Sequence, residues 1–318
     1  AHIATEHVIP AMLSCQYGEV YAIASRSTEK AQNIAEQFGI PECYGSYEEL
    51  LVDKEVDAIY IPLPNHLHVQ WAIKALEADK HVLVEKPVGL SSKEAERLLQ
   101  ETKKYPHLKV MEAFMYRHHP QWIKVKELVD QKAIGDIKTI QSSFSFFEDD
   151  PNSIVNSKEF GGGSLMDIGC YPISLSRLLF NSEPKSISSV IEYHPDFKVD
   201  VSASGILEFE TGTSVFFSST QLADNQQAQI FGTKGNIKFE LPFNPPIDRP
   251  SKIWVTVGDD CQTIEFETCN QYTIQADLFA LAIINNTPVP TPLEDSVKNM
   301  IVIEKLEESN LKGQRIPM

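Results

Sequence analysis

The chain has 318 residues, 42% of them hydrophobic and 23% charged, with 28 basic against 44 acidic side chains and a formal net charge of −16. That length holds two domains and a substantial core, in the composition of an ordinary soluble globular protein. The acidic balance argues against a nucleic-acid or anionic-membrane partner, either of which would want a basic patch, and no apolar run approaches the ~20 residues needed to cross a bilayer.

No signal peptide is visible. Five scattered cysteines without a C-x-x-C pair (Cys15, Cys43, Cys170, Cys261 and Cys269) point to a reducing cytoplasm, with no disulfide framework and no structural zinc. The chain opens at Ala1 inside a helical pattern over 3–13, which suggests a truncated amino terminus. A short buried strand follows at 20–24. Ser27 or Thr28 caps the next helix, which carries Ala31, Ile34, Ala35 and Phe38 and ends at Gly39. A short helix is expected over 47–51, a strand over 58–61 that stops at Pro62, a helix over 67–78 and a strand over 81–84. Ser91 or Ser92 caps a helix reaching Tyr105, and 109–113 is again a strand. Short apolar strands alternating with helices specify an α/β fold with a doubly wound parallel sheet. Residues 1–116 are therefore read as a Rossmann-type dinucleotide-binding domain whose first strand is missing from the sequence.

The pattern then changes. A helix over 121–131 leads into a long strand over 137–147. Gly161-Gly162-Gly163 precedes a helix over 164–179, with Ser164 as its expected cap. Strands follow in succession at 187–192, 201–208, 214–220, 229–231, 237–241, 253–257 and 263–267, and helices over 272–285 and 293–311 close the chain. Residues 117–318 are accordingly expected to form an α+β substrate-binding and oligomerisation domain on one large, mostly antiparallel open sheet. Such a sheet has helices on one side only, so its other face needs cover, and a homodimer or larger homo-oligomer is expected through it.

Four stretches carry chemistry. Ala1-His2-Ile3-Ala4 fits the second half of a small-residue turn facing a pyrophosphate at a helix start, equally well as any helix start. The strand at 20–24 should end in the group that reads the adenosine ribose, and Ser25-Arg26-Ser27 with Lys30 stand there. A hydroxyl with cationic neighbours favours a 2′-phosphate, hence NADP(H), with NAD(H) possible. Pro62-Leu63-Pro64-Asn65 is a stiff loop at the carboxyl edge of the sheet, with Asn65 placed to cap the following helix; His66 and His68 favour packing over a metal. Val82-Leu83-Val84 then runs into Glu85-Lys86-Pro87, which holds a lysine at the edge where open α/β sheets bind ligands. In the second half, Asp167 and Tyr171 lie four apart on one helix, between Gly169 and Pro172, neither of which favours a helix interior. An Asp–Tyr pair can work as an acid–base unit, with Asp orienting and Tyr moving the proton; a nearby lysine would help the tyrosine ionise.

With these residues in hand, the sequence resembles the glucose–fructose oxidoreductase / inositol dehydrogenase / MocA family over essentially its whole length. The likeness rests on Glu85-Lys86-Pro87, on Glu112-Ala113-Phe114-Met115-Tyr116-Arg117 and on the stretch from Gly161 to Tyr171. The last two look most like the branch of D-xylose dehydrogenases and dimeric dihydrodiol dehydrogenases, which generally use NADP. In that family the lysine of the Glu-Lys-Pro motif lies by the nicotinamide and the substrate, and the Lys-Pro bond is often cis. Asp167 and Tyr171 match the family's Asp-x-Gly-x-(His/Tyr) motif in its Tyr version, and Arg117 falls on a segment that crosses near the nicotinamide. Ala1 stands where the family often has its second glycine. The resemblance thus implies cofactor contacts from Ala1, His2, Ile3, Ser25, Arg26, Lys30, Leu63, Pro64, Asn65, His68, Glu85, Lys86, Glu112 and Arg117. It implies substrate contacts from Lys86, Arg117, Asp167, Tyr171 and Tyr272.

The expected activity is hydride transfer between NADP(H) and a sugar, polyol or related hydroxy or carbonyl compound. Tyr171 is expected to take the hydroxyl proton, Lys86 to stabilise charge on the oxygen and Asp167 to orient substrate or Tyr171. Two alternatives are a non-catalytic NAD(P)- or sugar-binding regulator on the same fold, and a trans-dihydrodiol dehydrogenase or dicarbonyl reductase.

Overall fold

The computed structural model describes residues 2–318; Ala1, placed by the sequence at the pyrophosphate turn, lies outside the described residues. The chain divides into two compact units, residues 1–115 with 270–296, and residues 116–269 with 297–318. The sequence placed one division near residue 116 and kept everything after it together. The difference arises because the chain returns late to the first unit, where Phe279 is buried with Leu83, Met111 and Ala113.

In the first unit a π-helical turn, Ala4–Val8, leads into α1 (Ile9–Met12). Then come β1 (Ala22–Ala24), α2 (Thr28–Phe38), β2 (Glu42–Tyr44), α3 (Tyr47–Val52), β3 (Ala58–Ile61), α4 (His68–Glu77), β4 (His81–Glu85), α5 (Ser92–Thr102) and β5 (Val110–Ala113). The caps follow local chemistry. The hydroxyls of Ser27, Ser46 and Ser91 accept from the backbone N–H groups of Lys30, Glu49 and Glu94 at 3.3, 3.2 and 3.2 Å. Gly39 closes α2 at φ +68°. All strands pair in parallel, but in two sheets: β1 with β2, and β3-β4-β5. In the doubly wound order 3-2-1-4-5-6, β2 and β1 take positions 3 and 2, and β3, β4 and β5 take positions 4, 5 and 6. No described strand takes position 1. Tyr60 of β3 packs on both apolar clusters of the unit, one around Ile9, Ala35 and Ile40 and the other around Leu83 and Met111. The helix α8, Gln271–Ile284, belongs to this unit.

The second unit contains α6 (Pro120–Asp130), β6 (Ile137–Phe147) and a π turn, Leu165–Gly169, that runs into α7 (Cys170–Phe180). Seven strands follow: β7 (Ser186–Tyr193), β8 (Asp200–Glu208), β9 (Thr213–Ser219), β10 (Gln221–Gly232), β11 (Gly235–Phe239), β12 (Ser251–Val257) and β13 (Asp260–Phe266). The helix α9, Leu293–Lys312, crosses the boundary between units at Ser296, and a short β14, Ile316–Pro317, pairs with β7. The nine strands form one open sheet in the order β13-β12-β11-β10-β6-β9-β8-β7-β14, antiparallel except at β6–β9. One face buries Ile140, Phe144, Phe216 and Ile230; the other exposes Val190, Ile206, Val215 and Phe217. Ile206 pairs directly with Val215, and Ser204 pairs with both Val190 and Phe217, so these four make one uncharged patch. No helix is long and apolar enough to cross a membrane among the described residues.

Candidate active site

The strand β4 is buried at four of its five positions, and its last residue, Glu85, is 7% exposed. Tyr60 Oη donates to Glu85 Oε1 at 2.7 Å and the Lys86 N–H to Glu85 Oε2 at 3.3 Å. The Lys86–Pro87 peptide is cis. Beyond it, Pro87 O lies 2.8 Å from His68 Nδ1, and the Val88 N–H donates to Glu112 Oε1 at 2.7 Å. His68 Nε2 lies 2.6 Å from Leu63 O. Each of these groups ends up at the carboxyl edge because β3, β4 and β5 are parallel neighbours, with Ile61 opposite Val84 and Glu85 opposite Ala113.

His68 and Glu112 are 0% and 1% exposed. The sequence placed both, with Glu85, among the cofactor contacts. In the structure His68 faces the Pro87 and Leu63 carbonyls, Glu112 Oε1 accepts from the Val88 N–H and Glu85 Oε1 from Tyr60 Oη. Burial pulls the His68 ring down to about 4, against the two carbonyl contacts and with help from the charges of Lys86 and His66. A neutral imidazole donates from one nitrogen only, so at neutral pH His68 donates to one of its two carbonyls at a time.

Tyr272, on α8, belongs to this same unit. Its ring stacks on His7 at 5.7 Å and 13°. Burial pushes its hydroxyl up; Glu85 adds to that and Lys86 opposes it. The sequence grouped Tyr272 with Tyr171 in the second domain, but Tyr272 sits within the electrostatic reach of the Lys86 bend.

At the end of β1, the Ser25 N–H donates to Tyr44 O at 3.1 Å, which sets Ser25 at the same edge of the β1–β2 pair. Arg26 and Lys30 are exposed, and neither has an ion-pair partner among the described residues. His2 is exposed and Ile3 half-buried. Leu63, Pro64 and Asn65 are half-buried; Asn65 opens a 3-10 turn, Asn65–Leu67, rather than capping α4.

In the second unit, Tyr171 is 5% exposed, with ring centroids 5.7, 5.6 and 5.5 Å from Tyr116, Phe144 and Phe243. Asp167 lies one turn earlier in the π turn and is half-buried. The turn does not begin on a Ser164 cap as the sequence suggested. Asp200 Oδ2, on β8, accepts from both Ser164 Oγ at 2.8 Å and the Leu165 N–H at 2.7 Å. Gly163 is required there: at φ +114°, a Cβ would lie 2.0 Å from Asp200 Oδ1. Gly169 brings the turn against β9, where a Cβ would meet Ser218 Oγ at 2.9 Å. Arg117 has a partner within its own unit. Its Nη2 and Nε donate to Ser174 Oγ at 2.7 and 3.0 Å, and the same oxygen lies 2.8 Å from Tyr116 Oη, so this part of the guanidinium fastens the 3-10 turn Met115–His118 to α7. Sequence reasoning missed Tyr60 and Asp200; an isolated acid in the run Val199-Asp200-Val201 was the signal for Asp200.

A parallel unit with a lysine on a fixed strand end, joined in one chain to an open-sheet unit carrying a buried tyrosine, is an architecture that known proteins share. Residues 1–114 match the family model described as "Oxidoreductase family, NAD-binding Rossmann fold", and residues 122–238 match the GFO/IDH/MocA C-terminal domain. The chain is 42% identical to an uncharacterized oxidoreductase of Rhizobium meliloti, over 98% of this chain and 95% of that one. It is 34% identical to the D-xylose 1-dehydrogenase (NADP(+)) 2 of Haloferax volcanii, over 100% of this chain and 97% of the other. The crystal structure of a 3-ketoreductase from Actinomadura kijaniata, in complex with NADP and TDP-benzene, superposes with a TM-score of 0.91 at 30% identity, covering 97% of this chain and 95% of that one. Both halves of the chain, and its full-length relatives, therefore agree: it belongs to the GFO/IDH/MocA family of oxidoreductases.

Proposed function

We propose that the protein transfers a hydride between NADP(H) and a carbon bearing a hydroxyl or carbonyl group in a sugar or related polyol. The observation that carries this reading is Lys86, held at the carboxyl edge of the parallel sheet by hydrogen bonds to its own N–H and to the Val88 N–H. The residues present also fit the cofactor. Ser25 supplies a hydroxyl and Arg26 and Lys30 supply exposed positive charge where the 2′-phosphate of NADP would be read. Leu63, Pro64 and Asn65 would line the same edge. Bound nicotinamide supplies the hydride acceptor or donor.

In the oxidative direction the substrate hydroxyl gives its proton to Tyr171 Oη while its carbon loses a hydride, leaving a carbonyl. Lys86 contributes positive charge to the oxygen as the proton leaves. Asp167 orients the substrate or Tyr171. In reduction the same groups run in reverse: Tyr171 returns the proton to the oxygen. The D-xylose dehydrogenase and the 3-ketoreductase among the similar proteins support a sugar substrate for this chain. The exposed uncharged face of the nine-stranded sheet supports a homodimer or larger assembly as part of the same proposal.

The test is nicotinamide absorbance with NADP or NADPH, against a panel of aldoses, keto sugars, polyols and a dihydrodiol. Turnover of a sugar, lost in Lys86→Ala with NADPH binding retained, is the expected result. NADPH binding with no turnover of any substrate would favour the non-catalytic alternative, and near-normal turnover of Lys86→Ala would remove Lys86 from the mechanism.

A further inference from the structure

Two buried polar side chains, His68 and Glu112, bear on the bend that carries Lys86. The bend has no regular sheet pairing beyond Glu85, whose register partner is Ala113. The backbone groups that follow still need partners once buried, and Val88 is 0% exposed. They find them on side chains from the two neighbouring elements. His68, first residue of α4, brings Nδ1 to 2.8 Å from Pro87 O. Glu112, on β5, brings Oε1 to 2.7 Å from the Val88 N–H. The two hold the carbonyl and the N–H of one peptide group, Pro87–Val88, from the α4 and β5 sides. Glu85 adds a third hold on the Lys86 N–H at 3.3 Å.

We propose that His68 and Glu112 are positioning residues for Lys86. They set the path of the Lys86-Pro87-Val88 backbone and with it the origin of the lysine side chain. His68 has a further consequence. Its other nitrogen, Nε2, lies 2.6 Å from Leu63 O, so one imidazole sits against both the Lys86 bend and the loop proposed to line the cofactor, donating to one of them at a time. A buried imidazole and a buried carboxylate are costly to keep for packing alone; an apolar residue at either position would leave a peptide group of the bend without its partner. The proposal rests on the catalytic role assigned to Lys86, and the test separates the two.

The ring geometry supplies the discriminating variants. The amide nitrogen of asparagine falls near the position of His Nδ1, and that of glutamine near Nε2. His68→Asn can therefore keep the bond to Pro87 O, whereas His68→Gln keeps the bond to Leu63 O and loses the bend. Likewise Glu112→Gln keeps an acceptor for the Val88 N–H, and Glu112→Ala does not. Full-length variants are assayed with NADP and the best sugar of the panel, titrated with NADPH by fluorescence, and crystallised.

A misplacement of about 1 Å can lower turnover by ~100-fold. The expected result is a kcat at least ~10-fold down in His68→Gln and Glu112→Ala, with NADPH affinity and sugar KM within ~3-fold of wild type and Lys86 displaced in the crystals. His68→Asn and Glu112→Gln retain kcat and the wild-type position of Lys86. Equal kcat in the Asn and Gln variants of His68, or a kcat loss with Lys86 unmoved, overturns the proposal. If the wild-type protein turns over no substrate, the functional reading fails, while the position of Lys86 across the four crystals still decides this one. A variant that fails to fold is replaced in the comparison by the other pair, since one pair acts on the Pro87 carbonyl and the other on the Val88 N–H.

Discussion

Asp200 offers the sharpest test of how the second unit holds its tyrosine. Its carboxylate receives two donors, but they are not equivalent when it is removed. Ser164 Oγ has other oxygens within reach, Ser218 Oγ at 3.2 Å and Ser218 O at 3.5 Å. The Leu165 N–H has none of these, and Leu165 is 0% exposed. Asp200→Ala should therefore cost the penalty of one buried orphaned donor, about 1–3 kcal/mol. Local amide exchange across the 160–172 segment, compared with wild type at one pH, should then speed up by roughly 5- to 150-fold. Gly163→Ala should act on the same contact from the other side, because its Cβ would press on Asp200 Oδ1 at 2.0 Å while φ stays at +114°. The double variant should cost less than the two singles added, since removing the carboxylate removes the clash.

The pH dependence has a definite sign. Burial raises the Asp200 carboxyl above its usual value, against the donors from Leu165 and Ser164. The folded state thus holds the proton more tightly than the unfolded state, and wild-type stability falls as pH rises from the ordinary carboxyl range through the raised folded value. Alanine lacks this loss, so the cost of Asp200→Ala is greatest in acid and shrinks as pH rises through that window. Unchanged exchange in Asp200→Ala or strict additivity with Gly163→Ala would refute the capping role, and a cost that grows with pH would show the donors from Leu165 and Ser164 outweighing burial.

Arg26→Ala should weaken NADP by ~10- to 100-fold, the worth of one charged hydrogen-bonding partner, and leave NAD unaffected; equal losses for the two cofactors in steady-state KM would refute the 2′-phosphate assignment. Tyr171→Phe keeps the ring among Tyr116, Phe144 and Phe243 but removes the proton carrier, so kcat should fall by ~100- to 10,000-fold with NADPH affinity unchanged, and a kcat within a few-fold of wild type would assign the proton elsewhere. Ile206→Lys with Val215→Glu places charges on the uncharged sheet face; light scattering should report at least twice the 35.7 kDa chain mass for wild type and a single chain mass for the variant, and a monomeric wild type at micromolar concentration would refute assembly through that face.

What could be read from the sequence divides along the range of the interactions involved. Ser27 and Gly39 bracket α2 by contacts within one turn, and both were legible. The 137–147 strand and the run into Lys86 were legible because each buried stretch is continuous in sequence. The strand β10 was seen only in its last residues, because 222–227 is Leu-Ala-Asp-Asn-Gln-Gln, whose polar run hides the alternation of a strand with one solvent-exposed face. β2 was lost because three residues, exposed or half-buried, carry too little pattern. α8 was seen as a helix but kept with the second half of the chain, because nothing local tells that Phe279 enters the core with Leu83 and Met111.

The site shows the same division at finer scale. That His68, Glu85 and Glu112 lie by the Lys86 bend was legible; which peptide atoms they face was not. Residue type suggests that a histidine after a Pro-Asn loop or a glutamate at a strand end points at a ligand. Only the fold shows that His68 and Glu112 face peptide groups 19 and 24 residues away. Likewise the serine nearest the π turn was the natural cap, yet an aspartate 35 residues further on supplies the acceptor for Leu165. Polar residues of this unit therefore divide into those open to solvent at the sheet edge and those that hold the backbone behind it. Exposure separates them here: Arg26 and Lys30 lie open at the sheet edge, and His68 and Glu112 are sealed beneath it. The second kind should tolerate only substitutions that keep a partner for the peptide group, whereas the first should tolerate those that keep the charge.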